Sequence, residues 1–320
     1  MRIGIAGYGN LGIALEIAAG HAKDVEVVGV FTRREARVVT RYAPVFSIEE
    51  LSRFRGAIDV LAVCYGSSSD LPRCTPEFTE YFNTVDSYDN HNKIEIHKKN
   101  VGRIAESTRH TSLVSLGWDP GLLSLFRLYL GGFIPFCTPN TFWGRGVSQG
   151  HSEALSRIDG VRRAVQYTVP KDEALTLAGL VGHHIDEHDR HKRVCYIAAE
   201  KNKEDLITEE VLSMKNYFYG YETELRFVSE NDPVFENRSM SHRGRIYALG
   251  SSGEYRENKH VAYFDLEIGS NPDLTAHIML TGMRVCRLLA ERGRYGAFTV
   301  FDLEPSLFAE AAGRGIYEYL

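Results

Sequence analysis

No apolar run in this chain approaches the ~20 residues that a helix needs to cross a bilayer, so a membrane protein is not expected. Cysteine is sparse: Cys64, Cys74, Cys137, Cys195 and Cys286, an odd count with no Cys-x-x-Cys pair. That scatter argues against a disulfide framework and fits reduced thiols in the cytoplasm. A basic surplus is also missing. The 37 Lys and Arg against 42 Asp and Glu leave a net charge of −5, whereas nucleic-acid binding calls for a basic surface. No signal peptide is expected, because the chain enters an apolar strand at once. Repeats, low-complexity linkers and a Gly-x-Ser-x-Gly elbow are all lacking, which removes solenoids and the commonest serine nucleophile. What is present is ordinary for a globular protein, with 43% hydrophobic and 25% charged residues over 320 positions. That length suffices for two domains with a sizeable core.

One further absence is specific. The segment Arg2-Ile-Gly-Ile-Ala-Gly7-Tyr-Gly9-Asn-Leu-Gly12 carries an apolar strand into Gly-x-Gly-x-x-Gly and then a helix-competent stretch. Gly7 permits the tight turn, Gly9 lets backbone approach a pyrophosphate, and Gly12 lets helix pack on strand. The helix N-terminus supplies N–H groups and a positive dipole end. About 20 residues on, an NAD enzyme places an acid on the ribose 2′-hydroxyl. Here the strand Val25–Phe31 runs instead into Thr32, Arg33 and Arg34. Two guanidiniums and a hydroxyl suit a 2′-phosphate, so the expected cofactor is NADP(H). The plainer alternative is a surface arginine pair after a nucleotide-free turn.

Strands expected at Ile3–Ala6, Val25–Phe31, Val60–Cys64, Thr84–Asp86 and Leu113–Ser115 alternate with helices expected at Ile48–Phe54, Thr75–Tyr81 and Asn92–Ser107. This alternation predicts an α/β fold with a Rossmann-type doubly wound parallel sheet. Ligands of such sheets bind outside the carboxyl ends of the strands. From about Asn140, period-two stretches at Arg163–Val169, Arg193–Ala198, Glu222–Phe227, Arg245–Leu249 and Ala262–Ile268 predict a second, α+β domain with a mostly antiparallel sheet. A long helix starts at Asn271-Pro272 and is expected to return to the first domain. The predicted division is 1–120 with 272–320, and 121–271.

Asp89 and Asp119 fall on loops after the fourth and fifth strands. A carboxylate there can hold a substrate ammonium or move its proton, although capping of the helix from Gly121 explains Asp119 equally well. In the second domain Trp143, Thr168, Arg193, His242 and Asn271 form a candidate carboxylate grip. Each also has an ordinary alternative: a strand threonine, a surface charge, a hydrogen-bonded histidine, a helix cap. His183, His184, His188 and His191 have helical zinc spacing. Their charged neighbours read instead as a metal-free, solvated loop.

Taken together these residues resemble the NADP-dependent meso-diaminopimelate dehydrogenases over nearly the whole chain. The matching segments are 7–12, Thr32-Arg-Arg34, Val85-Asp-Ser-Tyr-Asp-Asn-His91, Gly117-Trp-Asp-Pro-Gly121, Thr141-Phe-Trp-Gly144, Ser148-Gln-Gly-His-Ser152, Val165-Gln-Tyr-Thr168, His191-Lys-Arg193 and Asn271-Pro-Asp273. The resemblance implies reversible oxidative deamination at the D-centre of meso-2,6-diaminopimelate. The products are L-2-amino-6-oxopimelate, which cyclises to tetrahydrodipicolinate, and ammonia. It places the reaction in lysine and diaminopimelate biosynthesis, carried out by a homodimer. It further implies that Tyr8, Gly9, Asn10 and Leu11 contact the pyrophosphate and Thr32, Arg33 and Arg34 the 2′-phosphate. Cys64, Tyr65, Gly66, Ser67, Ser87, Tyr88, Asp89, Leu116, Gly117, Trp118, Asp119 and Pro120 line the rest of the cofactor. Asp89 and Asp119, packed by Trp118 and Trp143, take the reacting end of the substrate, and Thr168, Arg193, His242 and Asn271 the distal L end. Tyr65, Leu116, Arg145, Arg243 and Arg245 depart from the family pattern, and the two arginines after His242 are expected to alter its surroundings. A broad-specificity D-amino-acid dehydrogenase and a non-catalytic NADP(H) sensor remain as alternatives.

Overall fold

The computed structural model describes residues 1–34, 37–67, 69–180, 184–215, 217–236 and 240–320. The chain runs through β1 (Arg2–Ala6), α1 (Asn10–Gly20), β2 (Glu26–Thr32), β3 (Val45–Ser47), β4 (Val60–Val63), α2 (Leu71–Thr79), β5 (Thr84–Asp86), α3 (Ile94–Thr108), β6 (Thr111–Leu113) and α4 (Leu122–Phe133). Then come β7 (Asn140–Trp143), β8 (Gly146–Val147), α5 (Gln149–Ser156), β9 (Val161–Pro170), α6 (Asp172–Leu180), α7 (Glu187–Arg190), β10 (His191–Ala199), α8 (Glu204–Ser213), β11 (Glu222–Phe227), β12 (His242–Ser252) and β13 (Asn258–Ile268). It ends with α9 (Asn271–Glu291), β14 (Gly296–Phe298) and α10 (Pro305–Ala311). Two compact units result, one of Met1–Leu125 with Pro272–Leu320 and one of Phe126–Asn271.

The first unit is built on a seven-stranded sheet in the order β14-β6-β5-β4-β1-β2-β3, with every pairing parallel. Strand order reverses between β1 and β4, the point where doubly wound folds bind dinucleotides. Both faces are covered, which is why the strands read as apolar runs. Val60 and Ala62 join one cluster with Ile3, Ile5, Leu15, Met279 and Met283. Leu61 and Val63 point the other way, to Phe31, Leu71 and Phe78. At Gly282 of α9 a β-carbon would run into the Leu116 side chain. That glycine lets the helix sit against the chain just beyond β6.

The second unit holds a four-stranded sheet, β11-β10-β9-β8, and a three-stranded sheet, β13-β12-β7. Burial of Leu155, Cys195, Ile197, Ile207, Val211 and Phe218 closes α5 and α8 onto the larger sheet. Several details differ from the sequence reading. β10 and β11 pair parallel, not antiparallel, because α8 carries the chain back between them, the usual way to bring a strand in parallel. Ile48–Phe54 is a 3-10 segment opened by a Ser47–Glu50 capping box. The fifth expected strand ends at Leu113, since Ser115 turns to φ 59°. Among the described residues no helix is long and apolar enough to cross a membrane.

Candidate active site

Every position proposed for the cofactor lies at the carboxyl edge of the seven-stranded sheet. Gly7 has φ 95°, and a β-carbon there would stand 2.7 Å from the Cys64 carbonyl oxygen. Its N–H donates to the Phe31 carbonyl at 2.8 Å, joining the turn to the end of β2. A β-carbon on Gly12 would strike the Gly7 carbonyl, whereas one on Gly9 would meet nothing within 4 Å. The turn is therefore tight on its protein side and open at Gly9, as a pyrophosphate cradle requires. Gly9 is the N-cap of α1, with no side chain capping it and no acid in the first turn, which favours an anion at this helix end.

At the end of β2, Thr32 is buried and its Oγ1 accepts from the Arg34 N–H at 3.2 Å. Both arginines are exposed. Arg34 Nη2 donates to the Tyr8 carbonyl at 3.3 Å. The Arg33 guanidinium lies 5.2 Å from the Tyr65 ring centre and 3.4 Å from Asp70 Oδ2. These two cations flank the β1 turn where a ribose 2′-phosphate would project, and the donor set fits NADP(H). Tyr8 is fixed from behind, where its hydroxyl donates to buried Glu16. Glu16 Oε1 also accepts from the N–H groups of Arg41, Tyr42 and Ala43. Burial pushes the Cys64 thiol up to about 12, so the thiol is unreactive.

Asp89 is exposed on the loop after β5, and its N–H donates to Ser67 Oγ at 2.9 Å. Asp119 lies in a turn closed by the Gly117 N–H on the Pro120 carbonyl at 2.8 Å and the Leu122 N–H on the Gly117 carbonyl at 3.0 Å. The Asp119–Pro120 peptide is cis. Trp118 is buried beside it. The helix begins at Leu122, with the Gly121 N–H met by Ser124 Oγ at 3.1 Å.

The second unit gathers the other candidates. Thr168 and Arg193 are cross-strand partners on β9 and β10, and Arg193 Nη1 donates to Thr168 Oγ1 at 2.8 Å. Arg193 is only 7% exposed, which overturns the surface-charge alternative. Its guanidinium sits 4.2 Å from the Tyr221 ring centre, and its Nε has no partner. Among the described residues no ion pair joins it to a carboxylate. His242 is buried at the start of β12, its ring against Gly146. The Asn271 N–H donates to the Met240 carbonyl at 3.1 Å. Trp143 lies 5.2 Å, ring to ring, from His191.

Sequence reasoning missed several neighbours. His191 opens β10 in a buried position, 1% exposed, and Nε2 accepts the Trp143 N–H at 2.8 Å. The solvated-loop reading therefore fails there. Burial, reinforced by Arg193 and Arg190, pushes His191 down to about 3. His188 Nδ1 turns to Asp186 Oδ1 at 2.9 Å, while His183 lies outside the described residues. Among the described residues no group of three or more His, Cys, Asp or Glu is arranged to hold a metal. Tyr221 and Glu187 brace the arginine, with the Tyr221 hydroxyl donating to Glu187 Oε1 at 2.7 Å. Gln166 Nε2 approaches Thr168 Oγ1 at 3.3 Å. Tyr221 and Gln166 lie more than 20 residues from Arg193 along the chain, so no local spacing announces them. Arg243 and Arg245 both turn to Asp265 on β13. Alternation along β12 directs both side chains away from His242, while the Arg243 backbone N–H donates to His242 Nδ1 at 3.0 Å.

The strand order and the glycine turn at its reversal define a Rossmann-type dinucleotide-binding protein. Residues 117–270 match the family described as Diaminopimelic acid dehydrogenase C-terminal domain. A meso-diaminopimelate D-dehydrogenase of Lysinibacillus sphaericus is 38% identical over 95% of this chain and 94% of its own. The solved structure of the Corynebacterium glutamicum DAP dehydrogenase in complex with DAP superposes with TM-score 0.90 at 36% identity, covering 96% of this chain and 95% of that one. An engineered D-amino acid dehydrogenase bound to NADP+ superposes with TM-score 0.88 at 35% identity, covering 96% and 95%. The chain belongs to the meso-diaminopimelate D-dehydrogenase family.

Proposed function

We propose that this protein catalyses the reversible, NADP-dependent oxidative deamination of the D-centre of meso-2,6-diaminopimelate. The observation that carries the reading is Arg193, a buried guanidinium on Thr168 that no ion pair joins to a carboxylate among the described residues. A desolvated cation is costly unless an anion meets it, and a substrate carboxylate supplies one. When bound, NADP+ supplies the hydride acceptor. The chain's own residues bind and orient. Tyr8 to Leu11 and Thr32, Arg33 and Arg34 hold the phosphates. Thr168, Arg193, His242 and Asn271 take the L-configured amino-acid end. Asp89 and Asp119, with Trp118 and Trp143, take the D end, where a carboxylate pairs with the ammonium and accepts its proton as the imine forms. Water then hydrolyses the imine to the 6-oxo product and ammonia.

The two ends of the substrate are chemically identical and opposite in hand. Only contacts that read one end can select which carbon reacts, so binding energy remote from that carbon serves orientation. We also propose a cytoplasmic homodimer that works in diaminopimelate and lysine biosynthesis.

The test follows reduced nicotinamide with meso-, LL- and DD-diaminopimelate and D-alanine, each with NADP+ and with NAD+. Turnover of the meso isomer with NADP+ alone is expected. Comparable turnover of D-alanine would replace this reading with a broad D-amino-acid dehydrogenase, and silence throughout would replace it with a binding protein.

A further inference from the structure

Behind the two loops that carry Asp89 and Asp119 lies a buried carboxyl–imidazole pair that touches neither cofactor nor substrate in the reading above. Asp86, the last residue of β5, is 0% exposed, and His97 on α3 is 4% exposed. His97 Nε2 donates to Asp86 Oδ2 at 2.6 Å. The other carboxylate oxygen, Oδ1, accepts two loop amides: Tyr88 N–H at 3.1 Å and Ser115 N–H at 2.9 Å. The Asp86 carbonyl accepts a third, the Leu116 N–H, at 2.9 Å. One residue thus binds the β5 loop one position before Asp89 and the β6 loop in the stretch leading to Asp119. The Tyr88 ring covers His97 at 4.5 Å and closes the pair off from the sheet edge.

The geometry at Ser115 shows what this costs. Its φ of 59° is left-handed, a conformation L side chains adopt reluctantly. Its buried hydroxyl has no hydrogen-bond partner. The bond from its N–H to Asp86 therefore holds a turn that the residue itself disfavours. A buried carboxylate keeps its orientation only when its remaining oxygen is satisfied, and His97 does that.

We infer that Asp86 and His97 are positioning residues for the reacting end, with His97 orienting the Asp86 carboxylate so that it clamps the Asp89 and Asp119 loops in one arrangement. This rests on the assignment of those two aspartates made above.

The test compares His97→Leu, His97→Gln and Asp86→Asn with the parent. Expected for His97→Leu is a fall in kcat of at least about ten-fold, with the Kd for NADPH changed less than about three-fold, because the phosphates are gripped at the ends of β1 and β2. His97→Gln, which keeps a donor, is expected to recover most of kcat. Substrate deuterated at the D-centre should show a larger isotope effect on kcat in His97→Leu. An unchanged kcat in folded His97→Leu, or an NADPH affinity that falls as far as kcat, would overturn the inference. Should His97→Leu fail to fold, Asp86→Asn is read by the same criteria, and failure of both to fold would show a core element only and overturn it too. Asp119→Asn is assayed alongside. Full turnover in Asp119→Asn sinks the underlying assignment, whereas loss there with normal His97→Leu sinks only the clamp.

Discussion

Arg193 has lost its water without gaining an anion from the described residues. Burial lowers its pKa from the ordinary guanidinium value, the sign of a charge held at a cost. Replacing it by methionine removes that cost and keeps most of the volume, so the melting temperature should hold or rise. The same change removes a charge-assisted grip, about 3 kcal/mol or roughly 150-fold in KM for meso-diaminopimelate. Calorimetry and steady-state kinetics on Arg193→Met check both halves. A fall in Tm with unchanged KM would make the arginine a structural residue. Arg33 and Arg34 differ from it, being exposed on the protein. Alanine at both should weaken NADP+ binding by about 2–3 kcal/mol, roughly 30–150-fold, and leave NAD+ binding nearly as it was. Equal weakening of both dinucleotides would remove the 2′-phosphate assignment.

At the scale of elements, the turn between β1 and α1 separates two kinds of glycine. Gly7 is held at φ 95° with the Cys64 carbonyl 2.7 Å from any added β-carbon. Gly7→Ala should therefore cost about 2 kcal/mol or more of stability as well as cofactor binding. Gly9 has an extended backbone, φ −95°, and open space around its would-be β-carbon. Gly9→Ala should fold with nearly the parent Tm and yet raise the KM for NADP+ at least about ten-fold, because the methyl group occupies the pyrophosphate's approach. Normal NADP+ affinity in Gly9→Ala would displace the cofactor from this turn. The glycine pattern was legible because turn, strand and helix are neighbours in sequence. The brace on Tyr8 was not: Glu16 meets Arg41, Tyr42 and Ala43 across a loop, and no periodicity encodes that meeting.

His191 joins β10 to β7 through the Trp143 N–H, and protonating Nε2 would break the bond. Its folded value of about 3 lies below the usual 6.5. As pH falls below 6.5 the unfolded chain takes the proton first, so this contribution is complete above about pH 6.5 and is lost progressively toward pH 3. At most about 2 kcal/mol disappears between pH 6.5 and 5 from this group. Urea unfolding at the two pH values, with His191→Gln as the non-titrating comparison, measures it. An equal pH slope in the variant would discard the assignment. The spacing of His184, His188 and His191 drew attention to metal chemistry, whereas strand pairing gave His191 a backbone partner 48 positions away.

For the whole molecule, the proposed homodimer can be tested at the edge strand β13. This strand closes the three-stranded sheet on one side and leaves Val261 63% and Tyr263 72% exposed. Unpaired edges with apolar side chains associate unless charge opposes it. Light scattering is expected to give twice the mass of the 320-residue chain, and Val261→Lys with Tyr263→Lys is expected to give the monomer. A dimer unaffected by both lysines would place the contact elsewhere.

The nucleotide-binding half was written into the sequence by itself. Its signals are local: apolar runs long enough for buried strands, glycines at a turn, two arginines where an acid would select NAD. Each is set by sterics or charge within a few residues. The tertiary structure alone decided that β11 runs parallel to β10, that Arg193 is buried on Thr168, and that Asp86 and His97 tie two loops together. Such pairings arise from strands and helices far apart in the chain, where burial selects the partner and removes the water that a sequence pattern assumes.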